Sequence, residues 1–240
     1  MRKLFSLVAA VSVLTLAASS AQAQNLLANG TLDSTAVSSQ VLATPTNWDV
    51  IATGAIIGAF NDGASSEEFA GNPPTPDTGV GPADKGLFYK AFTGTAARGP
   101  MTVHLQQDNA AIVGQRYQLN GWAGAEANFL AAGAEMAIEF LDGGLSVIGG
   151  TTLNLVPTLF VANGQPFNYK NYFLSSVAPA GTIGVRARVS MLGGTPNPAG
   201  GGQAFVVDDF ELKAIAEPTS LGLAGLGLAA LAVVRRRRQA

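Results

Sequence analysis

The 240-residue sequence contains no cysteine and a single histidine. The first absence excludes disulfide staples, thiolate metal ligands and a thiol nucleophile. The second means that His104, set between Val103 and Leu105, cannot head a multi-histidine metal site. Charge is scarce as well: Asp, Glu, Lys and Arg make up 12% of the chain, against a usual share of about 25%. No G-x-S-x-G nucleophile motif occurs, and no long helical period is present away from the two ends. Adjacent acidic residues such as Glu67-Glu68 and Asp208-Asp209 cannot serve as facing glycosidase carboxylates within a strand, because neighbouring strand residues point to opposite faces. These absences argue against an enzyme.

What is present begins at the two ends. MRKLFSLVAAVSVLTLAASSAQAQ has a basic tip (Arg2, Lys3), an apolar stretch from Leu4 to about Ala17 and the small-residue stop Ala21-Gln22-Ala23. This layout predicts a secretory signal peptide over residues 1–23, passed through the Sec machinery and cut by signal peptidase after Ala23. At the other end, residues 221–234 carry no charge and would make a helix about 21 Å long. A hydrocarbon core of about 30 Å asks for nearer twenty residues, so the segment spans only with help from its flanks and from bilayer thinning. Rich in Ala and Gly as well as Leu, it suits a brief stay in a membrane. Arg235, Arg236, Arg237 and Arg238 follow directly and fix the orientation, since basic flanks stay cytoplasmic. A nucleic-acid-binding tail is the competing reading of four arginines, but an exported chain meets little nucleic acid.

Glu217-Pro218, an apolar segment with glycines and a terminal arginine cluster, in that order, closely resemble the PEP-CTERM sorting signal. The resemblance implies a sorting segment over residues 216–240, recognition by an exosortase, and a transient place in the inner membrane of a Gram-negative bacterium. It further implies a destination at the cell surface or in an extracellular polysaccharide (biofilm) matrix. One departure stands in the triplet: Ala216 takes the place of the first proline. Pro218 biases Glu217 away from helical geometry and suits the first turn of the helix that follows, which would hold an extended peptide at the membrane surface.

Removing Arg2, Lys3 and Arg235 to Arg238 leaves eight basic residues against sixteen acidic ones, a net of about −8. Such a domain is ill suited to gripping anionic polymers by charge. Residues 24–215 are enough for one domain with a full core. Gly reaches 29 of 240 residues, and Gly/Pro/Asn clusters separate short runs rich in branched and aromatic residues. These runs are 87–92, 101–106, 116–123, 134–142, 170–177, 182–190 and 204–212. Met136, Ile138 and Phe140 oppose Glu135 and Glu139, and Ile183 and Val185 start a face opposing Arg186 and Arg188. Short alternating strands at this spacing predict an all-β, antiparallel sandwich, flanked by the signal-peptide helix and the single C-terminal transmembrane helix. Residues 53–86 read as a long Pro/Gly-rich loop, and 192–203 as a second loop before the last strand.

NLLANGTLDS (25–34), Trp48 after Pro45, QRYQLNGWAG in mid-chain, VAPAGTIGVRARV (177–189) and the closing FVVDDFEL follow an order similar to that of carbohydrate-binding-module-like, galactose-binding-like jelly rolls. That resemblance implies a jelly roll with a non-catalytic structural or glycan-interaction role, and a structural Ca2+ in some relatives; no cofactor is otherwise required. Asp208 shares strand parity with Val206, Phe210 and Leu212 and so points to the apolar face, where an ionised carboxylate is costly unless paired or coordinated. Calcium favours oxygen ligands, and Asp33, Asp208 and Asp209, with carbonyls near Asn29 and Gly30, are the candidates. Backbone hydrogen bonds to Asp208 are the equally open alternative. For glycans, stacking aromatics flanked by amides and carboxylates are required, and Trp122, Tyr117, Tyr89, Tyr169 and Tyr172 are available. Trp122 and Tyr117 lie inside an alternating strand and are expected in the core, as is Trp48. The second functional reading is a secreted polysaccharide hydrolase using carboxylates of 53–86.

Overall fold

The computed structural model describes residues 24–34, 44–54, 62–68, 85–91 and 100–215. The signal peptide with Ala21 and Ala23, and the sorting segment with Glu217, Pro218 and Arg235 to Arg238, lie outside them. Among the described residues ten strands form two antiparallel sheets: β1 (Asp49–Gly54), β2 (Asp62–Glu68), β3 (Lys85–Ala91), β4 (Met101–Ala110), β5 (Arg116–Ala125), β6 (Gly133–Leu141), β7 (Val147–Asn154), β8 (Lys170–Val177), β9 (Gly184–Gly194) and β10 (Phe205–Ile215). One sheet has the order β2-β3-β10-β5-β8 and the other β1-β4-β9-β6-β7. The only α-helix among the described residues, α1, is the single turn Val156–Leu159. None there is long and apolar enough to cross a membrane. The architecture is the expected jelly-roll sandwich, with sequence-distant strands paired in both sheets.

Period-two alternation builds the core. Met136, Ile138 and Phe140 of β6 are fully buried while Glu135 and Glu139 face outward. Val185, Ala187 and Val189 of β9 join them from the same sheet. Leu87 and Tyr89, Leu119, and Phe205, Val207, Phe210 and Leu212 meet them from the other. Removing this apolar surface from water, at about 25 cal/mol per Å², is the main drive for the two sheets to stack. Trp48 packs the sandwich as expected, with its ring 5.6 Å from that of Phe210 and its Nε1 donating to Asn29 O at 2.9 Å.

All seven expected strands are present, and three more appear. Residues 53–86 are not one loop, because β1 reaches Gly54, β2 occupies 62–68 and β3 begins at Lys85. Ile183 does not share the inward face of Val185: it precedes β9 and is 54% exposed, its N–H donating to Leu141 O and its carbonyl accepting from Ala111 N.

The parity assigned to Asp208 is corrected by a bulge. Asp208 pairs with Trp122 and Glu211 with Asn120, so Asp209 and Phe210 together oppose Gly121. Asp209 takes a left-handed conformation, φ 49°. The extra residue flips the alternation. Before it, Phe205 and Val207 face the main core and Val206 faces outward; after it, Phe210 and Leu212 face inward. Asp208 therefore shares the outer face with Val206, yet it is fully buried.

Candidate functional site

The bulge shapes the outer face of the β2-β3-β10-β5-β8 sheet. At one end of that face the segment ahead of β8 folds back over the strands. Phe88, Tyr169, Ala204 and Val206 form a small second core there, with Trp122 and Phe167 against it. Gly124 permits this approach, since a Cβ would lie 2.5 Å from Phe167 O. The other half of the face stays open.

Along that open half the opening segment docks beside β10 where β3 no longer pairs with it. Leu26 N donates to Leu212 O at 2.8 Å and Phe210 N to Gly30 O at 2.7 Å. Asn25 Oδ1 accepts from Leu212 N at 3.0 Å, and Asn25 Nδ2 donates to Phe210 O at 3.1 Å. A Cβ on Gly30 would lie 2.3 Å from Phe210 O, so a side chain at this position would push the segment off the strand. Gln107 locks the same segment to the other sheet, accepting from Ala28 N at 2.8 Å and donating to Ala28 O at 2.9 Å.

Together these pieces line an open cleft of about 380 Å³ with Asn25, Thr31, Asn120, Asn171, Asp209 and Glu211, with Phe210 among them. Asn120 Nδ2 donates to Glu211 Oε2 at 3.4 Å, and Lys213 Nζ sits 2.5 Å from Glu211 Oε1. Beside Asn120, its register partner Phe173 presents a ring that is 66% exposed. Trp122, half-buried, is the register partner of Asn171. Amide donors, carboxylate acceptors and an exposed ring on one face are the elements that take up a sugar: polar groups meet the hydroxyls, and the ring packs on C–H surface.

Of the aromatic candidates from the sequence, Tyr89, Tyr117 and Tyr169 are buried. Tyr172 is half-buried, its hydroxyl 2.8 Å from Thr158 Oγ1. Trp122 lies on the outer face, half-buried against the second core and next to Asn171 of the cleft. Phe173 was absent from that set, although its signal is in the sequence: it lies between Tyr172 and Leu174, which face inward, so it must face out.

The candidate calcium ligands are placed as follows. Asp33 Oδ1 accepts from Lys85 N at 3.0 Å, Asp208 Oδ1 accepts from Asp209 N at 2.8 Å, and Asp209 lines the cleft. Asn29 O accepts from Trp48 Nε1, and Gly30 O from Phe210 N. Among the described residues no three His, Cys, Asp or Glu side chains come together as a metal site.

The outer face of the second sheet carries charge of a different kind. Arg186 clasps Asp108 through Nε (2.6 Å) and Nη2 (2.9 Å). Arg188 donates Nε to Glu139 at 2.8 Å and Nη1 to Glu135 at 2.6 Å and to Ser190 Oγ at 2.5 Å. The row ends at His104, whose Nδ1 is 2.7 Å from Ser190 Oγ. Burial, and then the Arg188 charge, hold its imidazole below the usual range. Both glutamates of this ladder are occupied by arginine.

Similar solved structures include a tailspike protein 4 enzymatically active domain of Bacteriophage CBA120, at 13% identity and a TM-score of 0.52 over 80% of this chain. The chain spans about a fifth (21%) of that tailspike chain, and the likeness is one of fold. The cleaved adhesin domain of Lys-gingipain from Porphyromonas gingivalis is 18% identical, with a TM-score of 0.41 over 76% of this chain and 99% of that one. A xylan-binding domain from Paenibacillus barcinonensis is 11% identical, with a TM-score of 0.40 over 81% and 97%. No curated protein matches the chain. Residues 215–238 match the PEP-CTERM protein-sorting motif, so this jelly roll ends in a signal that implies export and sorting by an exosortase.

Proposed function

We propose that the chain is a non-catalytic surface or matrix protein of a Gram-negative bacterium. Exosortase processing delivers it from the inner membrane to the exopolysaccharide layer, where its sandwich binds a neutral polysaccharide. The observation that carries the binding role is the cleft of Asn25, Asn120, Asn171, Asp209 and Glu211 beside the exposed ring of Phe173. Neutral glycans suit it better than anionic ones, since its carboxylates Asp209 and Glu211 and the acidic balance of the domain disfavour a polyanion.

The test is binding of the purified protein to an array of neutral and acidic polysaccharides, compared with Phe173→Ala and Asn120→Ala. Phe173 supports little packing, so Phe173→Ala should fold with a stability change within about 0.5 kcal/mol while losing neutral-glycan retention. Equal retention by wild type and both variants would refute the site. Release of reducing ends from any polysaccharide on the array would favour the hydrolase reading instead.

A further inference from the structure

The exposed large aliphatic residues are unevenly distributed. Ile112 (71% exposed), Val113, Leu145 (62%), Val147, Val177 and Ile183 (54%) all belong to one end of the sandwich. They sit on the β4–β5, β6–β7 and β8–β9 connections or the strand ends beside them. The three connections are tied together: Ala111 N donates to Ile183 O, Ile183 N to Leu141 O, and Gly114 N to Ala178 O. Their sequences, 111–115, 142–146 and 178–183, contain one charged residue, Asp142. Its carboxylate is turned into its own loop, accepting from Gly144 N at 2.8 Å and Ser146 N at 2.9 Å. Arg116, exposed, stands beside them. Apolar surface gathered in this way marks an interaction site.

The same end is where the domain hands over to its sorting segment. Ile215 closes β10, in register with Arg116, and Gln115 Nε2 donates to Ile215 O at 2.5 Å. Only five residues, 216–220, separate Ile215 from the uncharged run 221–234. Fully extended, five residues reach at most about 18 Å. Whatever membrane holds that run must therefore lie about this close to Ile215, which is itself tied to the β4–β5 loop through Gln115.

We propose that this end of the sandwich lies on the lipid bilayer while the tail is membrane-held. Ile112, Val113, Leu145 and Ile183 enter the headgroup boundary, and Arg116 faces anionic headgroups. Apolar side chains in three tethered loops, next to an anchor, gain from such burial without the entropy cost of recruitment from solution. The contact would present the Ala216-Glu217-Pro218 stretch at the membrane surface in one orientation of the domain. This inference rests on the reading of residues 215–238 as a membrane-held sorting segment.

The chain has no cysteine, so a single introduced thiol reports from one place. Full-length protein carrying Val113→Cys, Ile183→Cys or, at the opposite end, Val161→Cys is labelled with an environment-sensitive nitrobenzoxadiazole probe. It is then reconstituted into vesicles of phosphatidylethanolamine and phosphatidylglycerol, and the vesicles are floated. Expected is blue-shifted emission at 113 and 183, quenched several-fold by spin-labelled lipid, with an unquenched, water-like signal at 161. Protein that floats with water-like probes at 113 and 183 overturns the docking and leaves the tail reading intact. Protein that fails to float overturns the tail reading, and the docking with it. A blue shift that grows with the protein-to-lipid ratio and resists the lipid quencher assigns the patch to a second copy of the chain and overturns the bilayer proposal.

Discussion

The β10 bulge fits only because Gly121 lies opposite it, which makes Gly121→Ala a sharp test of how the cleft is built. A Cβ there would lie 2.4 Å from Phe210 Cδ1, 2.6 Å from Cε1 and 3.2 Å from Met136 Cε. Ordinary carbon contacts are about 3.5–4.0 Å, so the ring must retreat by roughly 1 Å. It has little room to do so: Trp48 packs against its ring, its N–H is bonded to Gly30 O and its carbonyl to Asn25 Nδ2. Overpacking of this kind costs about 1–3 kcal/mol, against a gain of about 0.4–1 kcal/mol from the stiffer unfolded chain. The expected net loss is about 1–2 kcal/mol, or a Tm lower by roughly 2–8 °C for a chain of this size. Thermal unfolding by circular dichroism measures it, and a cycle with Phe210→Leu isolates the clash: the double variant should be more stable than the sum of the two single effects predicts. An unchanged Tm for Gly121→Ala, or strictly additive singles, would refute the steric account of the bulge.

Three further outcomes are expected. Arg188→Met leaves Glu135 and Glu139 without the guanidinium that joins them; with side chains only 12–20% exposed, the cost should fall between surface and buried pairs, about 2 kcal/mol by urea unfolding. His104, held below the usual histidine range by burial and Arg188 against the opposing Glu135 and Glu139, takes up its proton at a higher pH in the unfolded chain than in the folded one. Its contribution is therefore fully present above about pH 6.5 and is lost as pH falls toward the folded value, so His104→Gln should flatten Tm against pH in that window, and parallel curves would exclude the effect. If Asp33, Asp208 or Asp209 holds calcium, Tm is higher in millimolar calcium than in chelator, and equal values exclude the metal.

What could be read in the sequence follows where water pulls on it. The β6 and β9 alternations are legible because each lies inside its sheet with one face on the core and one on the ionic ladder. β7, VIGGTTLN, is an edge strand whose residues are nearly all exposed or half-exposed, so nothing forces a period on it. β1 is also an edge strand with a largely exposed pattern. β2, DGASSEE, has no branched or aromatic residue to announce it. The cleft was hidden for a different reason. It needs Asn25 to meet Phe210 across 185 positions of sequence, and it needs Asp209 at φ 49°, a conformation that no strand pattern signals. Reading straight through the bulge put Asp208 on the wrong face while leaving its burial right.

The placement of the cleft decides whether binding and sorting can coincide. With the apolar loops on a bilayer, the strands that end there stand roughly along the membrane normal. The sheet faces then look sideways into the layer outside the cell membrane. Asn120 is four residues along β5 from Arg116, about 13 Å at strand rise, so the cleft and Phe173 clear the headgroups. A glycan site built from the loops themselves would be lost against the lipid for as long as the tail stayed in place. Here the bulge and the docked opening segment set the proposed glycan site on a lateral face, so it stays open to a ligand while the tail is membrane-held. Glycan affinity should therefore be the same for vesicle-bound full-length protein and for protein ending at Ile215, and a marked loss on the vesicles would mean that the domain lies with this face, not its apolar end, against the membrane.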